Sequence, residues 1–146
     1  MPTHSSDAWS VDTGVLVCAT ALDAAPARQH RAKALLQQLF ENGSGCLAGQ
    51  VLAEYLSVVL RRRTMGPALA LDNVQVWSRA ARVLDTPASA YDRAWRLSAQ
   101  QHYPVWDALL IAICAEHGVA TLYTESTGPL VKPLGVSLIN PFLSAP

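Results

Sequence analysis

The chain is poor in charge and lacks several motifs that mark common types of site. Only 15% of its 146 residues are Asp, Glu, Lys or Arg, 51% are hydrophobic, and the formal net charge is zero. This balance excludes a global electrostatic attraction to nucleic acid or to an anionic membrane, so any contact with nucleic acid must be local. There is no CxxC, no HExxH and no histidine pair at helical spacing, which argues against a zinc site.

Signals for membrane insertion and secretion are also missing. The longest apolar run, residues 108–115, is far shorter than the roughly 20 residues that a membrane-spanning helix needs. Residues 1–10 contain no basic segment followed by an apolar one, which argues against a secretory signal. Cys18, Cys46 and Cys114 are odd in number and flanked by apolar or small residues, a pattern typical of buried reduced thiols. We expect a cytoplasmic protein without membrane contact.

Short apolar segments alternate with helical patterns along the chain. The strand-like segments are residues 8–12, 45–48, 83–86, 120–123 and 136–139. Helices are predicted over residues 15–21, 26–41, 49–63, 68–82, 89–101 and 104–118. Such alternation is typical of a parallel sheet covered by helices on both faces. We therefore expect one α/β domain over residues 1–146, a three-layer α/β/α sandwich with a central parallel sheet of four to five strands.

Three acidic residues lie in apolar segments where a carboxylate is costly. Asp12 ends the first strand, Glu54 lies on a largely apolar helix, and Asp107 precedes the apolar run 108–115. Ionised carboxylates are rarely buried unless they are paired or bind a metal ion. In open parallel sheets, sites form beyond the carboxyl ends of the strands, where Asp12 and residues 124–126 are placed. We expect the three acids to converge in one site.

Each acid also has a structural interpretation. Asp12 would serve as the N-cap of the helix that follows it, and Asp107 lies in a first helical turn, where the dipole favours negative charge. Glu54 belongs to a polar stripe at helical spacing that a solvated helix face would also explain, formed by Gln50, Glu54, Ser57 and Arg61. For Arg61 the solvated position is favoured, whereas the apolar surroundings of Glu54 favour a cleft.

Carboxylates gathered at one edge of a sheet form a hard oxygen site of the kind that binds Mg²⁺ or Mn²⁺. Such an ion removes their mutual repulsion, lowers the pKa of a bound water and stabilises charge on a phosphoryl group. This chemistry predicts hydrolysis of phosphodiester bonds. A phosphatase of the haloacid type would carry a second Asp at the position of Gly14, and a receiver domain would have paired acids at the first strand.

Five segments spread over nearly the whole chain carry ordered motifs: residues 10–19 (SVDTGVLVCA), 50–62 (QVLAEYLSVVLRR), 103–115 (YPVWDALLIAICA), 122–126 (LYTES) and 138–142 (LINPF). In order and spacing they resemble PIN domains, in particular VapC-type toxins of bacterial toxin–antitoxin pairs. The resemblance implies an α/β/α nuclease that uses Mg²⁺ or Mn²⁺ to cut RNA, often forms a homodimer and is held inactive by a VapB-like antitoxin. Asp12, Glu54 and Asp107 match the family's first three acids, so the resemblance implies that they are catalytic and bind the metal.

One position departs from this pattern. VapC-type toxins usually carry a fourth acid after the Glu that follows the fourth strand, and Ser126 stands there. Ser126 can hold a metal-bound water but has no charge. Glu125 is the carboxylate that would replace the missing metal ligand, although a solvated position is the simpler interpretation. Thr13 and Thr124, beside these residues, complete the predicted site. Two functions stay open: a metal-dependent ribonuclease toxin, and a PIN-fold module that binds RNA or antitoxin but cuts poorly.

Overall fold

The protein is represented by a computed structural model that describes residues 7–143. The expectations for residues 1–6 and 144–146 lie outside the described residues. The strands within these residues are β1 Trp9–Val11, β2 Gly45–Ala48, β3 Arg82–Leu84, β4 Thr121–Tyr123 and β5 Ser137–Ile139. They form one sheet in which every pairing is parallel, in the order β3-β2-β1-β4-β5. The predicted parallel α/β architecture is confirmed.

Six α-helices within the described residues cover this sheet: α1 Thr13–Thr20, α2 Pro26–Glu41, α3 Gly49–Arg62, α4 Pro67–Ala80, α5 Ala88–Gln101 and α6 Val105–Glu116. A turn of 3₁₀ helix follows at Pro133–Gly135. The chain runs from β1 through β2 to β3 and then returns across the sheet to β4. Because parallel crossovers are right-handed, this reversal places α1 to α4 on one face and α5 and α6 on the other.

Several element boundaries differ from the predicted ones by one or two residues, for local reasons. The helix predicted from residue 15 begins at Thr13 because the Asp12 side chain caps it. The helix predicted over residues 68–82 is α4, which begins at Pro67, since proline is well suited to a first helical position. The strand predicted over residues 83–86 is β3, and it pairs with β2 from Arg82 onward. None of these shifts moves a predicted site residue to another edge of the sheet.

The core lies on both faces of the sheet. The middle of α6 is buried on every side, from Ala108 to Cys114, so Asp107 lies where this helix emerges from the core. Cys18, Cys46 and Cys114 are buried free thiols, as predicted, and burial raises the pKa of Cys114 to about 12. Within residues 7–143, no helix is both long and apolar enough to cross a membrane.

Candidate active site

Asp12 and Thr124 leave the sheet side by side at its carboxyl edge. Val11 of β1 is paired with Tyr123 of β4, and the backbone N–H of Asp12 donates to the carbonyl of Tyr123 at 3.0 Å. The Thr124 hydroxyl then donates to Asp12 Oδ2 at 2.5 Å. Strands β2 and β3 are added on one side of β1, and β4 and β5 are added on its other side, so the strand order reverses between β1 and β4. Ligands of open α/β sheets bind at such a point, so the fold places Asp12 where a site is expected.

Asp12 serves as a helix cap and as part of this site. Its Oδ1 accepts from the backbone N–H of Val15 at 3.2 Å, so the N-cap interpretation is correct for one oxygen. Burial raises the pKa of Asp12, the hydrogen bonds from Thr124 and Val15 oppose that rise, and the charges of Asp107 and Glu125 add to it. An anion that is both desolvated and close to other anions would be stabilised by a nearby cation.

Asp107 is joined to Asp12 by a short chain of hydroxyl groups. The Ser126 hydroxyl donates to Asp107 Oδ2 at 2.5 Å, and the Ser126 backbone N–H donates to the Thr124 hydroxyl oxygen at 3.0 Å. Thr124 in turn donates to Asp12. The two carboxylates, one after β1 and one in the first turn of α6, are thus held in one polar network.

The loop that carries Ser126 is fastened to the chain just before α6. The Tyr103 hydroxyl accepts from the Leu130 backbone N–H at 3.1 Å and donates to the Leu130 carbonyl oxygen at 3.3 Å. Gly128 packs directly on the ring of Tyr103, where an added Cβ would overlap the ring atoms. A residue with a side chain at position 128 would therefore displace the loop.

Glu54 is connected to the site by a hydrogen bond from Thr13. The Thr13 hydroxyl donates to Glu54 Oε2 at 2.8 Å, and Thr13 directly follows Asp12 in the chain. Gln50 Nε2 donates to Glu54 Oε1 at 2.8 Å and to the Trp106 carbonyl oxygen at 3.1 Å. Glu54 is therefore oriented from two sides, and Gln50 ties the start of α3 to the start of α6.

The polar stripe of α3 borders a cleft of about 510 Å³. Gln50, Glu54, Ser57 and Arg61 all line it, together with Trp106 from the start of α6. The expectation of a cleft at Glu54 is confirmed. Arg61 is exposed, as favoured from the sequence, but it also borders this cleft. The contribution of Gln50 and Trp106 to this cleft was not predicted from the sequence, although Trp106 adjoins Asp107 in the chain.

Glu125 is turned toward α2. Its carboxylate pairs with the Arg28 guanidinium at 2.5 Å, and both side chains are 45% exposed. The same guanidinium lies over the ring of Phe142, 4.2 Å from its centroid. A metal-binding role for Glu125 stays a prediction, and it requires this ion pair to open. In the arrangement described, Glu125 acts on Asp12 only through its charge.

Within residues 7–143, no three His, Cys, Asp or Glu side chains form a group that could hold a metal ion. Asp12, Glu54 and Asp107 are therefore not arranged as three direct ligands in this conformation. A hydrated Mg²⁺ ion fits the donors present, because it keeps several waters and binds through one or two carboxylates. Asp12 and Asp107 would be that pair, since the burial and like charge that raise the pKa of Asp12 are what a dication offsets. The metal-binding roles of these residues stay predictions.

Comparisons with known proteins agree with this geometry. The PIN domain family model matches residues 10–127. A search of curated proteins by sequence gives no match. VapC20 of Mycobacterium tuberculosis, a sarcin–ricin loop cleaving toxin, shares 22% identity at a TM-score of 0.67, over 82% of this chain and 90% of its own.

Two complexes solved with DNA are also similar in fold. VapBC2 of Rickettsia felis, bound to a DNA fragment from its promoter, gives 15% identity and a TM-score of 0.64, over 89% of this chain and 96% of that one. DNA-bound VapBC of Salmonella typhimurium gives 13% identity and a TM-score of 0.60, over 90% of this chain and 96% of that one. The match to the family model spans well over half of the sequence and includes all three predicted acids. The chain belongs to the PIN domain family.

Proposed function

We propose that this protein is a metal-dependent ribonuclease of the VapC toxin type, which hydrolyses RNA phosphodiester bonds. The observation that carries the proposal is the network in which Thr124 and Ser126 link Asp12 to Asp107 at the carboxyl edge of the sheet. Membership of the PIN domain family supports a nuclease. The sarcin–ricin loop cleaving activity of the similar M. tuberculosis protein supports RNA as the substrate.

The side chains of the site have distinct tasks in this proposal. Mg²⁺ or Mn²⁺, when bound by Asp12 and Asp107, would supply a water of lowered pKa and stabilise the charge that develops on the phosphate. Thr124 and the Val15 N–H fix the orientation of Asp12. Glu54, held by Gln50 and Thr13, presents carboxylate oxygens to the cleft, where they can accept a proton or hydrogen bond from water near the phosphate.

Two clefts that meet at Glu54 give the substrate a path through the site. The first is the cleft of about 510 Å³ with Arg61 on its border, and the second, of about 440 Å³, contains Thr13 and Arg62. Guanidinium groups contact RNA phosphates favourably, and here they stand on both sides of a carboxylate. This placement supplies locally the positive charge that the neutral chain lacks as a whole.

The same comparisons support one of the proposed partners. The R. felis and S. typhimurium structures are VapBC complexes, so we propose a VapB-like antitoxin that covers the groove beside the active site. A homodimer is proposed because several large apolar side chains of α4 are exposed, among them Leu69 at 56% and Val76 at 54%. A cytoplasmic location is supported by the three buried free thiols.

One observation favours a second function. Ser126 brings no charge to the position of the fourth acid, and the nearest substitute, Glu125, is paired with Arg28. A site with fewer anionic ligands holds a hard dication less tightly. The alternative is therefore a PIN-fold module that binds RNA or antitoxin without efficient cleavage.

Purified protein incubated with labelled RNA and Mn²⁺ separates these functions. The proposal predicts cleavage that a chelator stops and that Asp107→Asn abolishes, while the exposed control Asp72→Asn cleaves at the unmodified rate. Retained RNA binding without cleavage would favour the alternative. Cleavage that persists in chelator and in Asp107→Asn would contradict the proposal.

A further inference from the structure

Trp106 is an exposed aromatic residue in direct contact with the candidate active site. Its side chain is 66% exposed, although it directly precedes Asp107 in the first turn of α6. Trp95 on α5 is exposed to a similar degree, so what distinguishes Trp106 is its place on the wall of a cleft. Trp106 and Glu54 line the same cleft, so a nucleotide bound beside Glu54 can contact the indole.

The cleft has the size and chemistry of a nucleotide subsite. Its volume of about 510 Å³ lies within the range of about 300–1,000 Å³ typical of small-molecule pockets. Trp106 forms part of one wall, Ala53 and Val58 add apolar surface, and Arg61 contributes a cation. An aromatic face for a base and a guanidinium for a phosphate are the two elements with which proteins bind single-stranded nucleic acid.

Gln50 links this wall to the Glu54 carboxylate. Its single side-chain nitrogen donates to both Glu54 Oε1 and the Trp106 carbonyl oxygen. This shared donor holds the Trp106 backbone close to the Glu54 side chain. A base stacked on the indole would consequently lie beside the Glu54 carboxylate.

We propose that Trp106 is a stacking platform for an unpaired base of the RNA substrate next to the cleaved phosphate, and that Arg61 contacts a backbone phosphate in the same cleft. This inference rests on the proposed ribonuclease function and extends it to the recognition of single-stranded RNA. Base stacking is tolerant of sequence, so the platform selects unpaired over paired RNA more than one base over another.

The test measures binding of a fluorescently labelled single-stranded oligoribonucleotide by anisotropy in a chelating buffer, where cleavage is stopped. Trp106→Ala should weaken binding about tenfold, because the aromatic face on which a base would stack is lost, and Trp106→Phe should restore most of it. Trp95→Ala is the matched control, since Trp95 is similarly exposed but lies on α5, outside this cleft, and should leave binding unchanged.

An abasic scan of the same oligonucleotide makes the test independent of the folding of any variant. With unmodified protein, one abasic position beside the mapped cleavage point should weaken binding about as much as Trp106→Ala does. That same abasic position should not further weaken RNA binding by the Trp106→Ala variant. Unchanged binding at every abasic position would overturn the platform, even if cleavage proceeds and the nuclease function stands.

Two further outcomes also decide. If Trp106→Ala leaves RNA binding intact but abolishes inhibition by the antitoxin, the cleft receives a protein segment and the proposal is wrong. If unmodified protein neither binds nor cuts RNA, the proposed function fails together with this inference. The cleavage assay distinguishes that result from failure of the platform alone.

Discussion

Replacing Thr124 with Val should loosen the site without changing its shape. Val has nearly the volume of Thr but no hydroxyl. The substitution removes the bond to Asp12 Oδ2 at 2.5 Å and leaves the Ser126 backbone N–H without its acceptor at 3.0 Å. Thr124 is only 4% exposed, so water replaces neither bond freely.

The expected loss follows from these two bonds. A hydrogen bond to a charged group contributes about 1.5–3 kcal/mol and a neutral one about 1 kcal/mol, while burial of the added methyl group returns up to about 1 kcal/mol. We expect the free energy of unfolding to fall by about 2–3 kcal/mol at neutral pH, which lowers Tm by roughly 5–10 °C for a chain of this size. The pKa of Asp12 should rise further, because one of the bonds that oppose its rise is gone.

Urea unfolding in a chelating buffer measures this effect. Thr124→Ser, which keeps the hydroxyl, is the control and should lose less than half as much stability. In an Asp12→Asn background the cost of Thr124→Val should shrink, since the bond to a charged oxygen is already absent. An equal cost in both backgrounds would refute the claim that Thr124 acts through the Asp12 carboxylate.

Further predictions concern the neighbouring charges. The pKa of Asp12 is raised above 3.8, so the free energy of unfolding of the metal-free protein should fall as pH rises through the raised value. Asp12→Asn should remove this part of the pH dependence. An unchanged pH profile of unfolding in that variant would contradict the prediction. Ser126→Asp should raise Mn²⁺ affinity at least about tenfold while destabilising the metal-free protein, since it faces Asp107; calorimetry and urea unfolding measure the two effects. Glu125→Gln should change Mn²⁺ affinity less than about twofold because Arg28 holds that carboxylate, and a larger loss would show that Glu125 replaces the missing acid. Sedimentation at micromolar concentration should show a dimer, and a monomer would refute the proposed assembly.

The positions of Asp12 and Asp107 could be predicted because each rests on local rules. A parallel strand that ends in Asp places it at the carboxyl edge, and an acid before a buried helical run lies at the mouth of that helix. Glu54 required only the helical period and the apolar neighbours around it. These rules use residues that are close in sequence, so a single sequence is enough to apply them.

The contacts that orient these acids could not be predicted in the same way. Glu125 pairs with Arg28 across 97 residues, and Ser126 reaches Asp107 across 19. The second contact depends on how Gly128 packs on the ring of Tyr103, which no periodicity in the sequence records. Contacts of this kind form only when the chain is folded, because they join residues that are far apart in sequence.

Calorimetric titration of Mn²⁺ into the metal-free protein tests the central claim most directly, because it needs no knowledge of the RNA target. We expect saturable binding that is lost in both Asp12→Asn and Asp107→Asn and retained in the exposed control Asp72→Asn. Binding of equal affinity in all four proteins would contradict it, since the carboxylates at the edge of the sheet would then not hold the ion.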